Sequence, residues 1–365
     1  MSPGIREDLR GIFDAALRRI DSAEAVRKAL STTEIPESGR LWVLGAGKAA
    51  AAMALGAHQA LGSRIHGGLV IVSDGNGRAV PGIAIREAGH PIPDHRGLEA
   101  TRELLRIADG ATREDIVIWL VSGGGSALLV APKPGTSLDD LRSMTDRLLR
   151  QGTPIEALNA ARASHSQVKA GGLEDRIAPA RILALAISDV SGDDVRIIAS
   201  GPTRSAIVVA GVRDALQAAD NEARRLGYRT SIAPDRLQGE AREVGEVLAK
   251  ASLEPGECRI WGGETTVSVT GAGLGGRCQE LALSACLHFE DDRVMLAAGT
   301  DGVDGPTDAA GAIVDRRTGR RTADARAHLG NNDAWTFLKA TGDLLRTGPT
   351  GTNVADVVIL ARPRP

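Results

Sequence analysis

Apolar positions recur along the chain with two different periods. Leu9, Ile12, Phe13, Ala16, Leu17 and Ile20 follow helical spacing, which predicts helix through the first thirty residues, with Asp21 and Glu24 as a cap restarting it. After a Pro-containing turn the texture changes to short continuous apolar runs: Leu41–Leu44, Gly68–Ser73, Ile83–Ala88, Asp115–Val121 and Arg181–Ser188. These read as strands, and helical segments, including an Ala-rich one ending near Leu61, separate them. Apolar strands alternating with helices predict a parallel sheet covered on both faces, so the first domain is expected to be α/β and Rossmann-like.

From Ser205 to about Ser252 the pattern is polar and mostly helical, and Glu254-Pro255-Gly256-Glu257 marks a boundary. Beyond it Cys258–Trp261, Thr265–Thr270, Arg293–Ala298 and Val354–Leu360 read as strands, with a helix over Gly276–Phe289. The expected organisation is therefore an N-terminal domain over 1–253 and a smaller α/β domain over 258–365.

Composition narrows the function classes. Glycine supplies 44 of 365 residues, in short clusters between apolar runs, which suits tight turns and close backbone approach to a ligand. A net charge of −2 and 2% aromatics provide neither a basic surface nor a stacking platform, so nucleic acid is not an expected partner. Cys258, Cys278 and Cys286 form no CxxC pair, which fits a reducing compartment rather than a zinc site or disulfide framework. The charged N-terminus shows no secretory signal, and Ser122–Ser126 cuts the longest uncharged run, Ile116–Pro132. A soluble cytoplasmic protein without membrane association is expected.

Candidate chemistry sits where strands end, the usual place for ligands in open α/β sheets. Gly45-Ala46-Gly47-Lys48 opens a helix after a strand, where an anion would meet backbone N–H groups and Lys48. It is no Walker A loop, because Trp42 stands at the first glycine position and Ala49 follows the lysine; it matches GxGxxG/A only in part. A solvated lysine at a helix start is the competing reading. Ser122-Gly123-Gly124-Gly125-Ser126 follows the most apolar strand and could wrap phosphate oxygens or simply turn the chain; it contains no GxSxG elbow. Asp189, Asp193 and Asp194 share one short loop, which suits Mg²⁺ carried with a nucleotide, or else a helix cap. Arg277 lies in the first turn of a helix, where a cation is disfavoured unless it faces an anion. Gly299–Gly305 with Asp301, Asp304 and Asp308 is a further acidic loop, and Thr347–Asn353 a hydroxyl-rich turn. His90 and His165 read as structural histidines, since no pair has metal-ligand spacing.

Taken in order, Gly45–Ala50, Gly89–Asp94, Ser122–Leu128, Asn159–Leu173, Ser188–Thr203, Gly262–Thr266, Gly275–Leu281, Gly299–Gly311 and Thr347–Val354 resemble the class II glycerate kinases over nearly the whole chain. The resemblance implies a Rossmann-like domain followed by a MOFRL domain, and ATP-dependent phosphorylation of glycerate, typically at the 2-hydroxyl. It places the family's active-site lysine on Lys48 and its second-domain arginine on Arg277. Three departures stand out. Cys278 replaces the usual Asn, Lys169-Ala170-Gly171-Gly172 replaces Lys-Gly-Gly, and the segment after Thr203 is shorter.

The expected reaction is conversion of D-glycerate to 2-phosphoglycerate in the cleft between the domains, with ATP and Mg²⁺ as cofactors, in a chain that could form a homodimer. Lys48, Arg277 and Asp189 are the expected catalytic residues. Gly123, Gly124, Gly125, Ser126, Gly45 and Gly47 are expected at the nucleotide, Lys169 and Asp301 at the substrate, and Asp189 with Asp193 at the metal. An NAD(P)H-dependent hydroxypyruvate reductase, a name some members of the family carry, is the main alternative; Asp74 would then meet a ribose. A kinase for a related sugar acid and a non-catalytic sugar-acid sensor are the others.

Overall fold

The computed structural model describes residues 4–364, apart from 152, 154 and 321–323. Two compact units emerge, each discontinuous in sequence. One comprises Asp21–Gly211 with Gly351–Asn353; the other comprises residues up to Ile20, Val212–Thr350 and those from Val354 onward. The expected division into 1–253 and 258–365 differs from these units. The N-terminal helix Gly4–Arg19 packs along the helix Val212–Arg225, so both fold with the C-terminal part of the chain. Conversely, Gly351–Asn353 packs into the unit built from the N-terminal part.

The first unit holds strands β1 (Leu41–Ala46), β2 (Ile65–Ser73), β3 (Ala84–Ala88), β4 (Ile116–Val121), β5 (Arg181–Ser188) and β6 (Ile207–Gly211). They form one sheet in the order β3-β2-β1-β4-β5-β6, and every pairing is parallel. Continuous apolar sequence in β4 follows from burial on both faces: all six of its residues are buried, and Trp119 is fully so. The Ala-rich helix Ala50–Leu61 packs against the helix Ser22–Thr32, whose N-cap Asp21 accepts the Glu24 N–H at 2.7 Å as its spacing predicts. The strand order reverses between β1 and β4. This switch point places the loops after those two strands side by side, and both are glycine-rich.

The second unit carries β7 (Arg229–Ile232), β8 (Glu257–Gly263), β9 (Val294–Gly299), β10 (Gly311–Asp315), β11 (Leu344–Leu345) and β12 (Asp356–Ala361). Their order is β11-β10-β9-β12-β8-β7; only β7 and β8 run parallel. The helix Arg277–Cys286 lies in its core with Leu281, Leu283, Phe337 and Leu360. Thr265–Thr270, expected as a strand, makes only an isolated bridge from Thr266 to Glu240, and the Asn332 side chain takes the N–H groups of Thr270 and Gly271 instead. β6 and β7 are strands inside the segment that the sequence pattern read as mostly helical, and β10 is a strand that the pattern did not mark.

Candidate active site

The loop after β1 and the loop after β4 are knitted together. Lys48 N–H donates to Gly123 O at 2.9 Å, and Ala49 N–H donates to Ser122 Oγ at 3.0 Å. Gly47, at φ 138°, brings its backbone so close that a Cβ there would stand 2.2 Å from Ser122 Oγ. Its N–H is taken by Ile71 O at 3.0 Å. Neither Gly47 nor Lys48 therefore offers an amide to a bound phosphate. Gly45, expected at the nucleotide, lies inside β1, where a Cβ would stand 2.7 Å from Leu120 O; it is a packing residue of the sheet.

The triple glycine behaves differently. Among the described residues no carbonyl or side chain takes the N–H of Gly123 or of Gly124. Gly124 adopts the left-handed conformation (φ 83°, ψ −19°), which L side chains disfavour and which aims successive amides into one concavity. Gly125 and Ser126 begin the short helix that follows, and the Ser126 hydroxyl meets Ser200 Oγ at 2.7 Å.

Four side chains crowd this loop. A Cβ on Gly123 would stand 2.0 Å from Asp189 Oδ2 and 2.9 Å from Asn353 Nδ2. One on Gly124 would stand 3.3 Å from both Lys48 Cγ and His90 Cδ2. The structure thus brings Lys48, Asp189 and the loop 123–126 together. It adds His90, which the sequence suggested as structural, and Asn353, which arrives from a turn more than 220 residues downstream. Glycine at 123 and 124 leaves the room in which these groups converge.

The three carboxylates of the loop after β5 separate. Asp189 turns to Gly123, as above. Asp193 directs Oδ1 toward Gly211 at the end of β6. Asp194 pairs with Arg196 at 2.7 Å, and that hydrogen bond holds its carboxyl down at about 2. Among the described residues no group of three His, Cys, Asp or Glu side chains is arranged to hold a metal ion. Of the pair expected at the metal, Asp189 lies at the glycine loop, whereas Asp193 is turned to Gly211. Mg²⁺ that keeps several waters and is carried on phosphate needs only one or two protein carboxylates, and this arrangement fits that mode. The expected substrate residue Lys169 is buried, and its Nζ donates to Leu129 O at 2.7 Å.

In the second unit Arg277 opens the helix Arg277–Cys286. Its Nε and Nη2 form a fork on Asp356 at 2.6 and 2.9 Å, and Nη1 lies 2.6 Å from Glu264. Despite burial, the neighbouring Asp356 and Glu264 charges hold the guanidinium well above its usual range. Only the Nη1 edge faces a partner exposed enough to give way to an anion. Asp304 caps the same helix by accepting the N–H groups of Cys278 and Gln279 at 3.1 and 2.8 Å. Burial, then the nearby Asp356 charge, push it up to about 7. Asp301 accepts the Val303 N–H at 3.2 Å within its own loop. All three cysteines are buried thiols, and no helix among the described residues is long and apolar enough to cross a membrane.

Comparison with known proteins agrees across the chain. Residues 8–225 match a domain of unknown function, DUF4147, and residues 257–356 match the MOFRL family. A D-glycerate 2-kinase from Thermotoga maritima is 37% identical, covering 88% of this chain and 90% of that protein. A protein of Agrobacterium vitis, named provisionally as a hydroxypyruvate reductase, is 36% identical over 96% of this chain and 93% of its own. The crystal structure of a glycerate kinase from Thermotoga maritima superposes with a TM-score of 0.88 at 34% identity, over 99% of this chain and 100% of that one.

Proposed function

From the premise that this chain belongs to the glycerate kinase family, with its DUF4147 and MOFRL regions, we propose that it transfers the γ-phosphoryl group of ATP to D-glycerate, giving 2-phosphoglycerate. The observation that carries this reading is the switch-point loop, where two unspent amides at Gly123 and Gly124 stand beside Lys48 and Asp189. Gly123, Gly124, Gly125 and Ser126 cradle nucleotide phosphates. Lys48 neutralises charge that builds on the transferring group. Asp189 accepts the proton of the attacking hydroxyl or holds Mg²⁺, which supplies charge neutralisation between phosphate oxygens when bound. One O–P bond forms at the glycerate hydroxyl, one breaks toward ADP, and the hydroxyl proton leaves. Lys169 and Asp301 are kept as substrate residues. Arg277 is kept as the anion-facing cation of its unit, acting through the Nη1 edge.

The reductase alternative is disfavoured by one feature. A dinucleotide fingerprint needs the amides after β1 for its pyrophosphate, and those of Gly47 and Lys48 are spent on Ile71 and Gly123. The test is a coupled ADP-release assay with ATP, Mg²⁺ and D-glycerate, with NMR of the product, beside an NADH and NADPH assay with hydroxypyruvate. Mg²⁺-dependent ADP release with a 2-phosphorylated product is expected. Pyridine-nucleotide turnover without ATP would replace the kinase by the reductase.

A further inference from the structure

Near the turn at His90–Pro91 lie two buried cations, and among the described residues no acid accompanies either. Arg162, on the helix Ile155–Ser164, is 7% exposed, and Lys169 is 6% exposed. Arg162 Nη2 donates to Pro91 O at 2.9 Å, while its Nε is buried without an acceptor. Lys169 Nζ donates to Leu129 O. One helical turn before Arg162, the Asn159 Oδ1 is likewise buried without a partner. Among the described residues no carboxylate pairs with Arg162 or Lys169, and Arg162 is the charged group that acts on Lys169. Burial, and then Arg162, pull the Lys169 ammonium down to about 7; burial alone pulls Arg162 down to about 10.

Bracing two loops through carbonyl oxygens does not account for this. A neutral amide would brace Pro91 and Leu129 without the cost of burying adjacent like charges. Two desolvated cations, an unspent guanidinium N–H and an unspent amide oxygen within one stretch of chain are a receptor for a small anion that also carries hydroxyl groups. A pocket of about 410 Å³ runs along the same helix, lined by Asn159, Ala163, Ala170, Ser200, Arg196 and Arg204; Arg162 and Lys169 each stand one residue from a lining position, Ala163 and Ala170.

Its position relative to the phosphate loop follows from shared neighbours. Pro91 adjoins His90, which stands with Lys48 at Gly124, and Ser200 holds Ser126. We propose that Arg162 and Lys169 bind the carboxylate of the hydroxy acid acceptor, with Asn159 directed to one of its hydroxyls. The identity of the acid rests on the kinase reading above; the anion receptor does not.

The test compares the wild-type chain with Arg162→Met, Arg162→Lys and Lys169→Met. It uses steady-state kinetics and thermal unfolding, the latter with D-glycerate alone and with uncharged glycerol as control. D-Glycerate is expected to raise the wild-type Tm and glycerol to leave it unchanged. Arg162→Met should abolish that rise and raise KM for D-glycerate by about 30-fold or more, with KM for ATP within about twofold of wild type. Without ligand, both methionine variants should unfold at or above the wild-type temperature, because an uncompensated buried charge is gone. Arg162→Lys should recover only part of the affinity, having lost the planar fork.

Unchanged KM for D-glycerate in both methionine variants would overturn the proposal. So would a joint rise in both KM values with a lowered Tm, the signature of a bracing role, or a wild-type Tm indifferent to D-glycerate. If wild type gains Tm from D-glycerate through Arg162 yet transfers no phosphate, the receptor stands and the kinase reading falls. If it transfers phosphate with a KM that ignores both substitutions, the receptor falls alone.

Discussion

Lys48 shows how one residue's role depends on what its own backbone is doing. Its N–H is committed to Gly123 O, which fixes the loop after β1 against the loop after β4, and its side chain lies beside Gly124. Lys48→Ala keeps that backbone bond, so the fold should survive while the charge is lost. We expect kcat/KM to fall by roughly 10²-fold or more, with an unchanged circular dichroism spectrum. Near-normal kinetics would return Lys48 to the role of a solvated lysine at a helix start. Lys48, Asp189 and the triple glycine stood out in the sequence because each follows an apolar strand, and the structure brings them to one place. His90 and Asn353 were not. Each is an ordinary residue in a turn, and only the tertiary path brings it to Gly124 or Gly123. Gly45 was misread for the converse reason, since a glycine packed inside a strand looks in sequence like the first glycine of a loop.

At the scale of elements, the helix Arg277–Cys286 depends on its cap. Asp304 accepts two of its first N–H groups, which favours the carboxylate, but burial and Asp356 outweigh that and push the group up to about 7 from 3.8. Since the folded pKa lies above the unfolded one, the fold holds a proton that the unfolded chain releases between these values. The resulting stability is complete below about 3.8 and is lost as pH rises through about 7. Urea unfolding from pH 5 to pH 8 should therefore show stability declining through this window. Asp304→Asn, which keeps one acceptor for the cap and carries no charge, should flatten that decline. A slope identical in both proteins would remove Asp304 as its source. Burial decides which elements were readable. Strands buried on both faces, such as β1, β4 and β5, announce themselves as apolar runs. β7, with alternating exposed and half-buried residues, and β10, only five residues long and running straight into the helix Arg316–Arg320, carry too little pattern. Thr265–Thr270 carries enough β-branched residues to read as a strand, yet Asn332 satisfies its backbone from the side.

For the whole molecule, chain order and compact units disagree, and the N-terminal helix is where this matters most. Gly4–Arg19 buries Ile5, Leu9, Ile12, Phe13 and Ala16 within the unit that contains the C-terminal sheet. Arg6 reaches Asp315 at 2.8 Å and also pairs with Asp343, and the Tyr228 hydroxyl donates to Asp8 at 2.8 Å. At about 1.5–3 kcal/mol for each large apolar side chain buried, the helix contributes on the order of 5–10 kcal/mol. That is comparable to the whole stability of an ordinary domain, about 5–15 kcal/mol. A chain beginning at Asp21 should therefore lose the second unit while keeping the first, whose sheet is built without the missing helix. Hydrogen exchange distinguishes the units directly. Amides of β9 and β12, protected in the full chain, should exchange rapidly in the shortened one, while those of β1 and β4 stay protected. Protection retained in β9 and β12 would mean that the second sheet stands without its N-terminal helix. Loss of protection in both sheets would mean that the two units unfold as one, and the energetic division between them would have to be given up.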